Sequence, residues 1–153
     1  MSYLAQVNIA KMVAEIYSPI MEDFANNLDR INTLAEASSG FIWRLVANED
    51  NATSIQVFED TFIIVNMSVW KHMEALYQFT CASEHVEIFK RKKEWFHKMT
   101  AMHMAFWYVQ ENHRPTVEEA KNRLAYLQKH GETPYAFTFK SKFTAEDAEN
   151  FMA

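Results

Sequence analysis

The chain has 153 residues, of which 49% are hydrophobic and 23% are charged. That length and composition are typical of one globular domain and exclude a disordered chain. Fifteen Lys and Arg against twenty Asp and Glu give a formal net charge of −5, so we expect no nucleic-acid partner, because contact with the phosphate backbone needs an excess of cations.

The residue counts exclude several kinds of site. Only two glycines are present, so the sequence has none of the glycine-rich motifs that hold nucleotide phosphates. Cys81 is the one cysteine, and the six histidines lack the spacing of zinc ligands, so we predict no metal site. No stretch approaches the ~20 apolar residues of a membrane span, so we expect no contact with a membrane. The N-terminus lacks a signal-peptide pattern, so we expect a cytoplasmic protein.

The hydrophobic pattern predicts the first elements in chain order. Alternation predicts strands at 3–10, 41–47, 62–70 and 103–109. Helical spacing predicts a helix at 19–37, which begins after Ser18 and ends before Gly40, and further helical stretches at 73–80 and 83–94. Residues 53–58 fit either a hairpin partner of the second strand or a loop. The order β-α-β-β-α-β is the ferredoxin-like split βαβ arrangement of an α+β fold.

Three further elements follow the fourth strand. Thr116 and Glu119 form a capping box before an amphipathic helix, and Gly131 suits its C-terminal end. Alternation over 135–139 predicts a fifth strand, and a tail helix begins near Thr144. We therefore predict a single domain over 1–153, with a core at about 3–110, a helix and strand within 115–143, and a short tail at 144–153.

The strand residues separate into an apolar set and a mixed set. With both crossover helices on one face of the sheet, the apolar set is expected to pack against them. It comprises Val7, Ile9, Val65, Met67, Val69, Met104, Phe106 and Tyr108. The mixed set comprises Gln6, Asn8, Ile42, Arg44, Asn66, Ser68, Trp70, His103, Ala105 and Trp107. A face with exposed tryptophans is typical of a partner or ligand surface. Two such faces in contact would close a dimeric α/β barrel, so the predicted partner is a second copy of the chain.

Short motifs carry a family resemblance. Trp70-x-x-x-Glu74-Ala75-Leu76, followed by Ser83-x-His85, resembles a pattern of dimeric α/β-barrel proteins related to antibiotic-biosynthesis monooxygenases. Within that superfamily, one uncharacterised bacterial family is similar over the blocks 41–45, 66–70, 83–96, 113–124 and 134–139. The resemblance implies the fold and the homodimer. Superfamily members include cofactor-free monooxygenases, haem-binding enzymes, muconolactone-isomerase-like enzymes and proteins without known activity, so the reaction stays open.

The mixed face supplies the candidate binding residues. Asn8, Asn66 and Ser68 either bind a substrate oxygen or satisfy one another inside a closed barrel. Arg44 either clamps an anion or forms an ion pair at the dimer rim. The candidate pocket walls are aromatic: Trp70, Trp95 and Trp107.

Two histidines are candidate general bases, because an imidazole near neutral pH suits proton transfer. His85 lies in the motif that carries the resemblance, and His103 opens the fourth strand; capping or packing is the alternative role for each. Arg44 and Asn66 would then stabilise the developing anion. These residues favour a small-molecule-binding dimer that oxygenates or isomerises a phenolic or enolisable compound without a cofactor. A non-catalytic binding or structural dimer is the alternative, and haem binding is a weaker one.

Overall fold

A computed structural model of the chain describes residues 1–46, 60, 62–82, 87, 90–99 and 101–152. The strands are β1 (Ser2–Lys11), β2 (Phe41–Arg44), β3 (Ile63–Trp70) and β4 (Met104–Gln110). The helices are α1 (Glu22–Glu36), α2 (Met73–Ala82), α3 (Lys92–Trp95), α4 (Val117–His130) and α5 (Ala145–Met152). A short 3₁₀ helix at Pro19–Met21 precedes α1.

The four strands form one antiparallel sheet in the order β2-β3-β1-β4. β1 lies at its centre because it pairs with both β3 and β4. The register places Asn8 opposite Asn66 and Gln6 opposite both Ser68 and Phe106. The predicted α+β fold with a four-stranded antiparallel sheet is therefore confirmed.

One side of the sheet, here called the Trp70 face, packs against the two crossover helices. Residues directly opposite each other in an antiparallel pair share a face. Among those on the Trp70 face are Leu4, Gln6, Asn8, Asn66, Ser68, Trp70, Met104, Phe106 and Tyr108. Ala35 of α1 and Ala75 and Leu76 of α2 join Leu4, Trp70 and Phe106 in one buried cluster.

The opposite side, here called the Val7 face, packs against α4. Its strand residues include Ala5, Val7, Ile9, Val65, Met67, Val69, Ala105, Trp107 and Val109. Ala120, Leu124 and Leu127 of α4 complete this cluster. The two crossover helices lie on one face as predicted, but that face carries Gln6, Asn66 and Trp70 of the mixed set instead of the apolar set. Val7 and Val65 of the apolar set pack against α4, which covers the face that was expected to stay open for a second copy.

β4 also differs from the prediction in the faces of its side chains. Phe106 lies opposite Gln6 and so on the Trp70 face, whereas Trp107 lies opposite Ala5 on the Val7 face. The apolar set and the mixed set therefore each combine residues from both sides of the sheet, because Phe106 was grouped with Val7 and Trp107 with Trp70. Both sides of β4 are apolar because both are buried, so alternation alone leaves its orientation undetermined.

A third buried cluster lies at the end of the Trp70 face where β3 begins. Met12, Met21, Phe24 and Trp95 form it, and Ile64 of β3 packs against it. The Arg91 guanidinium lies 4.7 Å from the centroid of the Trp95 ring and binds Asp23 and Glu94, each at 2.8 Å. This cluster joins the start of α1 to the segment that carries α3.

Several predicted bounds change. β2 ends at Arg44, and the Ser18 hydroxyl donates to the Glu15 carbonyl instead of capping a helix. The fifth strand is reduced to two isolated bridges, one in which Phe106 and Phe137 exchange both backbone hydrogen bonds and one between Thr133 and Ala136. Residues 53–58 and most of 83–89 lie outside the described part of the chain. The capping box at Thr116 and the tail helix are confirmed.

Candidate functional site

A strip of polar side chains crosses the Trp70 face, and we call it the polar strip. It consists of Gln6, Asn8, Arg44, Asn66 and Ser68, and strand pairing sets their positions. Along β3, Asn66 and Ser68 lie between Ile64, which packs on the Trp95 cluster, and Trp70 of the α2 cluster. The polar strip therefore separates two apolar regions beneath the crossover helices.

A chain of side-chain hydrogen bonds organises the strip around Gln6. The Gln6 Nε2 group donates to Asn66 Oδ1 and to Ser68 Oγ, both at 2.8 Å. The Trp70 indole Nε1 also donates to Ser68 Oγ at 2.8 Å. Gln6, Ser68 and Trp70 are buried, whereas Asn66 is exposed. The network thus runs from a buried indole to a side chain that meets solvent.

The directions of these bonds leave hydrogen-bond donors unused. A serine hydroxyl has one hydrogen and two lone pairs, and Ser68 Oγ accepts from both Gln6 and Trp70. Its hydroxyl hydrogen therefore remains to be donated. Asn66 Oδ1 is occupied by Gln6, while its amide nitrogen has no acceptor among the described residues. The strip is consequently suited to a ligand oxygen that accepts hydrogen bonds.

Arg44 pairs with a carboxylate of its own chain. Its Nε donates to Glu36 Oε2 at 3.1 Å, and the Arg44 side chain is only 13% exposed. The ion pair joins β2 to the end of α1 beside the strip. It is an intrachain version of the ion pair expected at a dimer rim.

The remaining predicted site residues lie apart from the strip. Trp95 is 1% exposed within its own cluster, and Trp107 is on the Val7 face. His103 is exposed before β4, and its backbone carbonyl accepts from the amide of Ile9. His85 lies outside the described residues. The structure therefore brings together Asn8, Arg44, Asn66, Ser68 and Trp70, and it separates His103, Trp95 and Trp107 from them.

Sequence reasoning missed Gln6 as the residue that joins the strip. The alternation of β1 did place it on the mixed face, and a buried amide must find hydrogen-bond partners. Those two facts together are the signal that could have identified it.

Sequence reasoning also missed a contact made by Glu119. Its backbone amide donates to Thr116 Oγ1, as the capping box predicts, but its carboxylate accepts from Trp107 Nε1 and His113 Nε2, each at 2.7 Å. Burial raises the pKa of Glu119, yet the hydrogen bonds from His113 and Trp107 outweigh it, so the pKa lies below its ordinary value.

Within the described ranges, no helix has the length and apolar character needed to cross a bilayer. Across the same residues, no three His, Cys, Asp or Glu side chains lie close enough together to hold a metal ion.

The sheet, its two helical layers and the donor-rich strip define an α+β protein with one polar region on an otherwise apolar sheet face. A family profile described as "Domain of unknown function (DUF3291)" matches residues 3–152, and the chain belongs to that family. No curated protein matches it. The predicted membership of an uncharacterised family is confirmed.

Two crystal structures are similar to this chain. PA3566 from Pseudomonas aeruginosa is 12% identical with a TM-score of 0.48, over 71% of this chain and 93% of that one. The NE2512 protein of unknown function from Nitrosomonas europaea is 11% identical with a TM-score of 0.48, over 76% of this chain and 95% of that one.

Proposed function

We propose that this protein binds a small organic molecule at the polar strip through a carbonyl, phenolate or enolate oxygen. The observation that carries the proposal is the pair of hydrogen bonds that Ser68 Oγ accepts from Gln6 and Trp70. These two bonds hold the Ser68 Oγ atom in position and leave the hydroxyl hydrogen of Ser68 for a ligand atom. Asn66 adds amide hydrogens at the exposed end, so two neighbouring donors face the same kind of ligand atom.

Cofactor-free oxygenation or isomerisation is the reaction class that such a site supports. Phenolic and enolisable compounds react through an anion whose charge lies partly on oxygen, and donors that are already in position stabilise that charge. The same class is implied by the resemblance to antibiotic-biosynthesis monooxygenases. The described strip residues include no imidazole, so we assign no general base. The contacts in the strip support binding of the ligand oxygen.

The probe for this site is 4-nitrophenol, because its phenolate form absorbs visible light. Donors at the strip favour the phenolate, so wild-type protein should increase the phenolate absorbance at a fixed pH. Asn66→Ala removes one donor to a charged oxygen and should weaken binding about tenfold. Asn122→Ala on exposed α4 surface is the matched control and should bind as the wild type does.

Ser68→Ala tests the central residue of the network. It should abolish the absorbance change, but it also leaves the Trp70 indole and one hydrogen of the Gln6 amide without their acceptor, which costs about 1–3 kcal/mol for each unpaired donor. Asn66→Ala therefore remains the decisive variant, because Asn66 is exposed. An absorbance change that is absent from the wild type, or equal in wild type and Asn66→Ala, would contradict the proposal.

We also propose that the chain forms a homodimer, although through a different surface from the two sheet faces in the barrel that the family resemblance implies. Support comes from exposed apolar side chains in the segment before α1: Tyr17 is 94% exposed and Ile20 is 58% exposed. Such side chains are commonly covered by a partner. α4 covers the Val7 face, so a dimer through that face would have to displace the helix. We therefore place the contact between copies at the segment that contains Tyr17 and Ile20, here called the Tyr17 segment.

A further inference from the structure

A cleft of about 260 Å³ opens on the Val7 side of the sheet, away from the polar strip. Its floor and one wall come from β1, β2 and β3, and its rim is the segment between β4 and α4. The lining residues are Tyr3, Ile42, Trp43, Val69, Glu111, Asn112, His113 and Arg114. One side is thus aromatic and apolar, and the other carries charged and polar side chains.

The orientation of His113 in this cleft is fixed by Glu119. His113 Nε2 lies 2.7 Å from Glu119 Oε1, and an ionised carboxylate only accepts hydrogen bonds. Nε2 therefore carries a hydrogen that points at Glu119, and Nδ1 is directed away from that carboxylate. Among the described residues nothing bonds to Nδ1, so it is available to hydrogen-bond a ligand.

Glu119 is itself held by buried structure. Its second oxygen accepts from the Trp107 indole, which is fully buried, and its backbone begins α4. Exposure rises from 0% at Trp107 to 20% at the Glu119 side chain and 46% at the His113 side chain. This series links a rigid core residue to an imidazole at the cleft, which is how proteins commonly set the tautomer of a functional histidine.

The other polar residues of the cleft complement His113. Arg114 is exposed and has no carboxylate partner in the described part of the chain, so its planar fork is free to bind a carboxylate. Glu111 on the same rim is an acceptor, and Nδ1 of His113 offers a further hydrogen-bonding position. Tyr3 and Trp43 are half-buried and offer aromatic surface.

We propose that this cleft is a second small-molecule site, which binds a single-ring hydroxylated aromatic carboxylate. Arg114 binds the carboxylate, His113 Nδ1 hydrogen-bonds the ring hydroxyl, and the ring lies against Tyr3 and Trp43. The volume is below the roughly 300–1,000 Å³ of pockets for drug-sized ligands, which favours a molecule with one ring. The site is on the opposite face from the polar strip and does not depend on it.

The test uses 4-hydroxybenzoate as the probe, with NMR spectra of the full chain to locate it. The backbone signals of Tyr3, Trp43, His113 and Arg114 should shift on titration. Arg114→Gln should weaken binding at least about tenfold, since it removes a charge-assisted pair. Arg30→Gln, an exposed arginine on α1, is the matched control and should bind as the wild type does.

Two comparison ligands separate the roles of the side chains. 4-Hydroxybenzamide lacks the charge and should bind equally to the wild type and Arg114→Gln. Benzoate lacks the hydroxyl, so wild type should prefer 4-hydroxybenzoate over it, and His113→Phe should lose that preference.

The affinities are read from the signals of the cleft residues alone, which distinguishes this site from the polar strip. The inference is wrong if no cleft signal moves, or if Arg114→Gln and Arg30→Gln bind the probe equally. Shifts confined to Gln6, Asn66 and Ser68 would also overturn it and assign the probe to the other site.

Discussion

At the scale of single residues, both the backbone conformation of Gly40 and the atoms around it require a glycine at this position. Its φ is +85°, and a Cβ added there would lie 2.5 Å from the Cβ of Ala75 in α2. Gly40→Ala therefore combines the cost of a left-handed backbone with a steric clash, and we expect a loss of about 2–4 kcal/mol in the free energy of unfolding. Urea denaturation measures it.

Gly131 provides the control for that prediction. Its φ is +77°, but an added Cβ would meet no atom of the described residues within 4 Å. Gly131→Ala should therefore carry only the backbone cost, about 1–2 kcal/mol. Equal losses in the two variants would show that α2 moves aside, and that the close approach of Gly40 to Ala75 is unimportant for stability.

Individual residues also show what the sequence can predict about the candidate site. Asn66, Ser68 and Trp70 alternate along β3, so the period of two in a strand already puts them on one face. Trp107 was placed with them wrongly, because β4 is apolar on both sides and only its pairing with β1 fixes its orientation. The bonds through Gln6 depend on register between strands about sixty residues apart in the chain, which local patterns do not contain.

At the scale of elements, the Glu119 carboxylate joins the start of α4 to β4 and to His113. Its pKa in the folded protein lies below the ordinary value of 4.5. A lowered carboxyl pKa stabilises the fold at pH values above the unfolded-state pKa, and this contribution is lost as the pH falls through the folded-state pKa. The wild type should therefore lose more stability than Glu119→Gln on acidification.

The measurement is urea denaturation of both proteins at about pH 6 and about pH 3. At the higher pH, the free energy of unfolding of the wild type should exceed that of Glu119→Gln. At the lower pH, this difference should become smaller. Glu118→Gln, at the exposed neighbouring position, controls for general acid effects and should lose stability in parallel with the wild type. An advantage of the same size at both pH values would show that the carboxylate charge has no role in this contact.

The ends of α4 could be predicted from sequence, whereas its location could not. Thr116 caps the helix and Gly131 ends it with a positive φ, and both are local signals. Its apolar face is equally compatible with either side of a sheet. The side was settled by the packing of Leu124 and Leu127 in one buried cluster with residues of β1, β3 and β4, and β1 and β3 lie far away in sequence.

At the scale of the whole molecule, the sheet divides two different chemical surfaces. The polar strip on the Trp70 face presents hydrogen-bond donors beneath α1 and α2. The cleft on the Val7 side presents an exposed arginine, an imidazole and aromatic walls beside the start of α4. Because the buried side chains of β1 and β3 lie between them, ligands at the two sites do not compete for the same residues.

The proposed homodimer gives the prediction for the complete assembly. One chain has a mass of 18.0 kDa, so light scattering at micromolar concentration should give about twice that mass for the wild type. Changing both Tyr17→Ser and Ile20→Ser removes the exposed apolar contact and should return the mass to that of one chain. Neither side chain is buried in the monomer, so the fold itself should be retained, which circular dichroism checks.

Tyr77→Ser is the control for this experiment, because Tyr77 is 46% exposed on α2, outside the segment that contains Tyr17 and Ile20. This variant should keep the mass of the wild type. If Tyr77→Ser alone gives the single-chain mass, α2 carries the interface and the Tyr17 segment does not. A wild-type mass of 18.0 kDa would contradict the dimer directly, and it would leave both proposed ligand sites as properties of a single chain, since every residue that builds them belongs to one copy.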